Sequence, residues 1–129
     1  MSQSASQASI FYRDVEKNKR VWTIKDQGGY PMPKTRTGVR SVPFWSSKSR
    51  AELIIKNVEA YNGFHPVELN IEEFYNWLKI LSRDKQLAGI NWSGADAVGY
   101  DMQPERLMEW VEVFMPRPSF WDRLFNKRA

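Results

Sequence analysis

Cysteine is absent from the chain and histidine occurs once, at His65. Without a thiol, the sequence excludes thiolate catalysis, Cys-ligated zinc, iron–sulfur clusters and disulfide staples. One imidazole leaves little for a histidine-based metal site, so neither a metal nor a cofactor is expected. No apolar run approaches the roughly 20 residues that a membrane-spanning helix needs. The start, Met1-Ser2-Gln3-Ser4-Ala5, lacks the charged and apolar blocks of a secretory signal, which makes a cytoplasmic protein the expectation. Gly28-Gly29 has neither the Lys-Ser/Thr of a phosphate loop nor the third glycine of a dinucleotide fingerprint, and reads as turn geometry.

What the chain does have is enough apolar material for one core. Its 129 residues are 42% hydrophobic and 14% aromatic, a size at which a single domain buries most of its apolar surface without staples. Apolar residues at i, i+3, i+4 and i+7 predict four helices. The first runs near 4–18 on Ala8, Phe11, Tyr12 and Val15, with Arg13, Asp14, Glu16 and Lys17 toward water. The second carries Ala51, Ile54, Ile55 and Val58, is capped by Ser46 or Ser49, and ends at Asn62-Gly63. The third carries Ile71, Phe74, Leu78 and Leu81 behind a capping-box pair, Asn70 and Glu73. The fourth opens at Pro104 with Leu107, Trp110, Val111 and Phe114. Strands are expected at 21–24, 39–45, 65–69, 87–92 and 97–100, with hairpins after the first and at Ser93–Asp96. The order α-β-β-α-β-α-β-β-α points to an α+β fold with a mainly antiparallel sheet of about five strands and four helices. Residues 1–115 form that single domain, and 116–129 a basic amphipathic tail.

Charge is unevenly placed. The formal net charge is +4, yet residues 17–50 carry nine Lys and Arg against Asp26 alone, residues 51–116 are net −6, and the segment from Arg117 onward is net +3. Phe120, Trp121, Leu124 and Phe125 in that tail, among Arg117, Arg123, Lys127 and Arg128, make an apolar stripe suited to docking on an anionic membrane, in a partner's groove or on its own domain. The loop 28–38, with Pro31, Pro33, Tyr30, Lys34 and Arg36, is longer than a minimal hairpin and is where a scaffold would present a binding surface.

Catalytic groups are thin. His65 precedes Pro66 at a strand start and reads as structural or exposed. Ser93 in Asn91-Trp92-Ser93-Gly94 lacks the leading glycine and strand-turn-helix setting of a nucleophile elbow. Glu68, Glu72 and Glu73 sit where a helix start already favours negative charge. Asp96, Asp101 and Glu105 flank the last hairpin without the spacing of a calcium loop. Trp45 and Trp92, each ending a strand beside a serine, could line a shared pocket with Asn91, Ser93 and Arg50 as polar partners.

Several of these residues together resemble a known family. Val21-Trp22 after an amphipathic helix, Pro43-Phe44-Trp45-Ser46 with Arg50-Ala51, Gly63-Phe64, Gly89-Ile90-Asn91-Trp92-Ser93-Gly94 and Gly99-Tyr100 are similar to a family of small bacterial proteins known only as a domain of unknown function. The resemblance spans about residues 8–112, leaves 116–129 outside, and implies a bacterial cytosolic α+β domain with no established activity and no catalytic residue to carry over. The basic segment 17–50 and the thin catalytic inventory give the expectation of a non-catalytic binding domain, one version being an inhibitor or immunity-type protein, that meets an acidic protein through Tyr30, Lys34, Arg36 and Arg40. Alternatives are a weak single-stranded nucleic-acid binder, which would combine those cations with exposed rings, and a small-molecule pocket protein around Trp45 and Trp92.

Overall fold

A computed structural model describes residues 3–115. Helix α1, Gln3–Asn18, buries Phe11 and Val15 completely, as its stripe requires. Strand β1, Arg20–Lys25, pairs antiparallel with β3, His65–Asn70, in register from Arg20↔Asn70 to Lys25↔His65. Strand β2, Ser41–Phe44, lies parallel to β4, Leu87–Ser93, and β4 lies antiparallel to β5, Val98–Met102. The α+β order is as read from the sequence, but the strands form two sheets, β1-β3 and β2-β4-β5. One antiparallel bridge joins them: Trp22 and Trp45 exchange both backbone hydrogen bonds, at 2.8 and 2.7 Å.

The expected hairpin between β1 and β2 does not form. Asp26 and Gly29 close their own turn, with Asp26 Oδ1 also accepting from the Gly28 N–H, and β2 instead runs beside β4. Burial explains the choice: Ser41, Val42, Pro43 and Phe44 are all buried, and a strand covered on both faces suits a parallel ladder. Pro43, which has no N–H to donate, accepts from the Thr23 hydroxyl through its carbonyl at 2.9 Å.

Helix α2, Lys48–Asn57, is capped by Ser47, whose hydroxyl accepts from the Arg50 N–H. That corrects the sequence assignment of Ser46 or Ser49, since Ser46 is 2% exposed and its polar atoms are used inside the protein. The helix also stops earlier than Asn62-Gly63, and a separate 3₁₀ turn, Glu59–Tyr61, follows. Helix α3, Ile71–Arg83, buries Ile71, Phe74, Leu78 and Leu81. Its reciprocal capping box is intact: Asn70 Oδ1 accepts from the Glu73 N–H at 2.8 Å, and Glu73 Oε1 from the Asn70 N–H at 2.9 Å. Asn70→Ala is expected to cost about 1 kcal/mol, read as a lower urea midpoint at unchanged slope; a loss below about 0.3 kcal/mol would show that the box is dispensable.

Helix α4, Pro104–Glu112, completes the larger core, where Phe11, Phe44 and Phe74 meet edge to face beside Leu107 and Val111. A second, smaller core gathers Ile24, Trp45, Ala51, Ile54, Val58, Tyr61 and Trp92 beneath α2. These two cores fix opposite sides of the β2-β4-β5 sheet, and the second sets the position of the surface described next.

Candidate functional site: a basic finger beside the Trp92 cleft

Residues 33–41 fold into a small hydrogen-bonded finger. Lys34 and Arg40 form an antiparallel bridge, the Thr35 N–H and hydroxyl both donate to the Val39 carbonyl at 2.8 and 2.7 Å, and the Ser41 N–H donates to Pro33. Gly38, at φ 87°, makes the tight turn that returns to Thr35. Arg40 reaches back to the Met32 carbonyl at 2.6 Å. Lys34, Arg36 and Arg40 are exposed. Among the described residues the ion pairs are Arg20–Glu68 and Arg83–Asp84, so none of the three has a carboxylate within 4.0 Å. Lys34 and Arg40 stand directly opposite each other, a like-charged pair that opposes the bridge holding it.

A cleft of about 350 Å³ opens beside the finger. Its buried walls are Tyr61 and Trp92, and its rim carries Lys34 and Arg36 from the finger and Asp96 and Asp101 from the β4–β5 hairpin. Asp101 accepts from the Ser41 hydroxyl at 2.7 Å, which ties β5 to the base of the finger. Burial pushes the Tyr61 hydroxyl above its ordinary pKa, so this wall is neutral at physiological pH. Trp92 is 6% exposed, and its indole N–H has no acceptor among the described residues. The ring fits only because two strand residues lack side chains: a Cβ at Gly89 would lie 2.3 Å from the indole, and one at Gly99 2.4 Å. A smaller groove of about 100 Å³ lies across Trp92, bounded by Arg50, Leu53, Asn57 and Ser93.

Beneath the cleft runs a buried polar chain. Asn91, 1% exposed and at φ 47°, interrupts the β4–β5 register between Ile90 and Ser93. Asparagine is among the few residues that adopt this left-handed conformation readily. Its Oδ1 accepts from the Ser46 N–H at 2.9 Å, and its Nδ2 donates to the Ser46 hydroxyl at 3.1 Å and to the Gln7 carbonyl at 3.2 Å. The Ser46 hydroxyl in turn donates to Asp14 Oδ2 at 2.8 Å, and the Gln7 amide donates to Ser93 Oγ. Asp14, expected on the wet side of α1, is drawn inward by that bond.

The sequence candidates separate accordingly. Lys34 and Arg36 meet Trp92 across the cleft, whereas Trp45 is wholly buried, donating its indole N–H to the Trp92 carbonyl at 2.8 Å. Asn91 holds the scaffold together beneath the surface, and Arg50 and Ser93 border the smaller groove. Tyr30 packs edge-on against Trp77 at 4.8 Å, with the Lys25 ammonium 5.3 Å from its ring, and Phe44 is fully buried. His65 is exposed in β3 opposite Lys25. Glu105 is occupied elsewhere, and its bond from the Ser82 hydroxyl lowers its pKa. Phe120, Trp121, Leu124 and Phe125 lie outside the described residues. Among those residues no three His, Asp or Glu are grouped to hold a metal ion, and no helix is long and apolar enough to cross a membrane. Tyr61 and Gln7 carry no local motif that would have marked them.

The chain belongs to the DUF2750 family, described as a protein of unknown function, whose model matches residues 8–110. No curated protein matches it.

Proposed function

We propose that this member of the family acts by binding, and that its partner is a protein presenting carboxylates to the finger of residues 33–41. The observation that carries the reading is the concentration of Lys34, Arg36 and Arg40 on one hydrogen-bonded hairpin, with no ion pair to any described residue. Two of these cations repel each other across the bridge, and a partner's carboxylates would relieve that repulsion. Because the finger is held by backbone hydrogen bonds before any encounter, little ordering entropy is lost on binding.

Single-stranded nucleic acid is a poorer fit to the same surface. Bases need exposed rings on which to stack, and Phe44 and Trp45 are in the core while Tyr30 lies against Trp77.

The test is a charge-swap experiment with a partner isolated by affinity capture and then purified. Reversing Lys34, Arg36 and Arg40 to Glu is expected to weaken binding about 100-fold, on the order of 1 kcal/mol per reversed charge, mostly through the association rate and less so at high salt. Reversing Lys56 on α2 should leave affinity unchanged, and reversing acidic residues on the partner should restore binding to the triple variant. Equal affinity for the wild type and the triple variant would sink the proposal.

A further inference from the structure

The cleft behind the finger has a chemistry of its own. Its rim carries two cations from one element and two carboxylates from another, and its walls are a phenol and an indole. None of Lys34, Arg36, Asp96 and Asp101 lies within 4.0 Å of an opposite charge among the described residues. Oppositely charged side chains that border one cavity without closing on each other leave both signs available to a guest. The Trp92 indole N–H, packed against Gly89, is buried without an acceptor among the described residues, in a class of group that is nearly always satisfied. Two glycines in β-strands make room for that ring, so the wall is built at a cost in strand stability. A volume of about 350 Å³ is at the small end of ligand sites.

We infer that this cleft binds a small zwitterion, a free amino acid or short peptide with an apolar side chain, whose carboxylate faces Lys34 and Arg36, whose ammonium faces Asp96 and Asp101, and whose apolar group lies against Trp92 and Tyr61. A simple anion would meet the two aspartates, and a simple amine would meet Lys34 and Arg36, so single-charge ligands are opposed by half of the rim. The cleft shares Lys34 and Arg36 with the proposed protein surface, and so rests on that finger being a binding element. Arg40 does not border the cleft and Asp101 is not part of the finger's charge, which allows the two readings to fail separately.

The experiment uses the full chain, labelled with nitrogen-15, and follows the Trp92 indole N–H and the Gly99 amide during titration. The zwitterionic probes are L-phenylalanine and glycyl-L-phenylalanine. Phenethylamine and 3-phenylpropionate supply the same ring with one charge each. At least one zwitterion is expected to give saturable shifts at both positions with millimolar affinity, and each single-charge compound to bind about fivefold more weakly, the scale of one partly exposed ion pair. Asp101→Asn should weaken the zwitterion about fivefold without weakening 3-phenylpropionate, whereas Arg36→Ala should weaken both. Arg40→Glu should change neither, while still impairing the protein partner. Absence of saturable shifts with either zwitterion, or equal affinity for zwitterion, amine and acid, would overturn the inference. The Gly99 amide keeps the readout available should Trp92→Phe, needed to assign the indole signal, fold poorly.

Discussion

Asn91→Ala is expected to destabilise the protein by about 3 kcal/mol, seen as a large fall in the urea midpoint with an unchanged slope. The change strands the buried Ser46 N–H, a group whose lost hydrogen bond costs on the order of 1–3 kcal/mol, and removes the amide bonds to the Ser46 hydroxyl and the Gln7 carbonyl. It also places a Cβ without the compensating amide at φ 47°, which adds roughly 1 kcal/mol. Asn91→Gly separates these contributions: it relieves the backbone but still strands the Ser46 N–H, so it should recover about 1 kcal/mol and no more. Equal stability of the alanine and glycine variants would mean that the left-handed conformation is costless here. Full stability of either would mean that the polar chain from Asp14 to Asn91 holds nothing together.

The second large effect concerns Gly89. An added methyl would start 2.3 Å from the Trp92 ring, a contact that requires the indole to leave its seat. Gly89→Ala should cost about 2 kcal/mol, within the range of overpacked cores, and should alter the near-ultraviolet circular dichroism of the tryptophans. In a Trp92→Leu background the same substitution should cost at least about 1 kcal/mol less, because the clashing atoms are gone. Additive losses in the double variant would place the strain elsewhere, for example against the Ser41 and Asp101 side of the strand.

The helices were legible because their signals are local. Asn70 and Glu73 announce their own capping box, and Phe74, Leu78 and Leu81 lie one turn apart, so burial follows from spacing alone. The strand positions were legible for the same reason, but their partners were not. Nothing within residues 39–45 distinguishes a strand folded back on β1 from one laid parallel to β4, since that choice depends on covering both faces of Ser41–Phe44 with distant residues. Ser46 was misread as a cap because a serine before a helix normally is one, and Ser47 is an equivalent candidate one residue later. At the candidate site, Lys34 and Arg36 were visible as charge on a long loop. Tyr61 was hidden because its role comes from the smaller core setting it beside Trp92. Trp45 and Trp92 look alike in sequence, each ending a strand beside a serine. What separates them is that Trp45 found an acceptor and Trp92, among the described residues, did not.

The contacts of α1 bear on how the chain is made. Gln7 meets Asn91 and Ser93, Tyr12 donates to the Met102 sulfur, and Phe11 packs near Trp110, so the first helix docks in large part on residues synthesised some 80–100 positions later. At roughly 5–20 residues per second, its apolar stripe waits on the order of 5–20 s for those partners to leave the ribosome. A 16-residue helix is marginal alone in water, and over that interval Phe11, Tyr12 and Val15 form a sticky nascent segment. Helix α1 is thus among the last elements of this domain to become native.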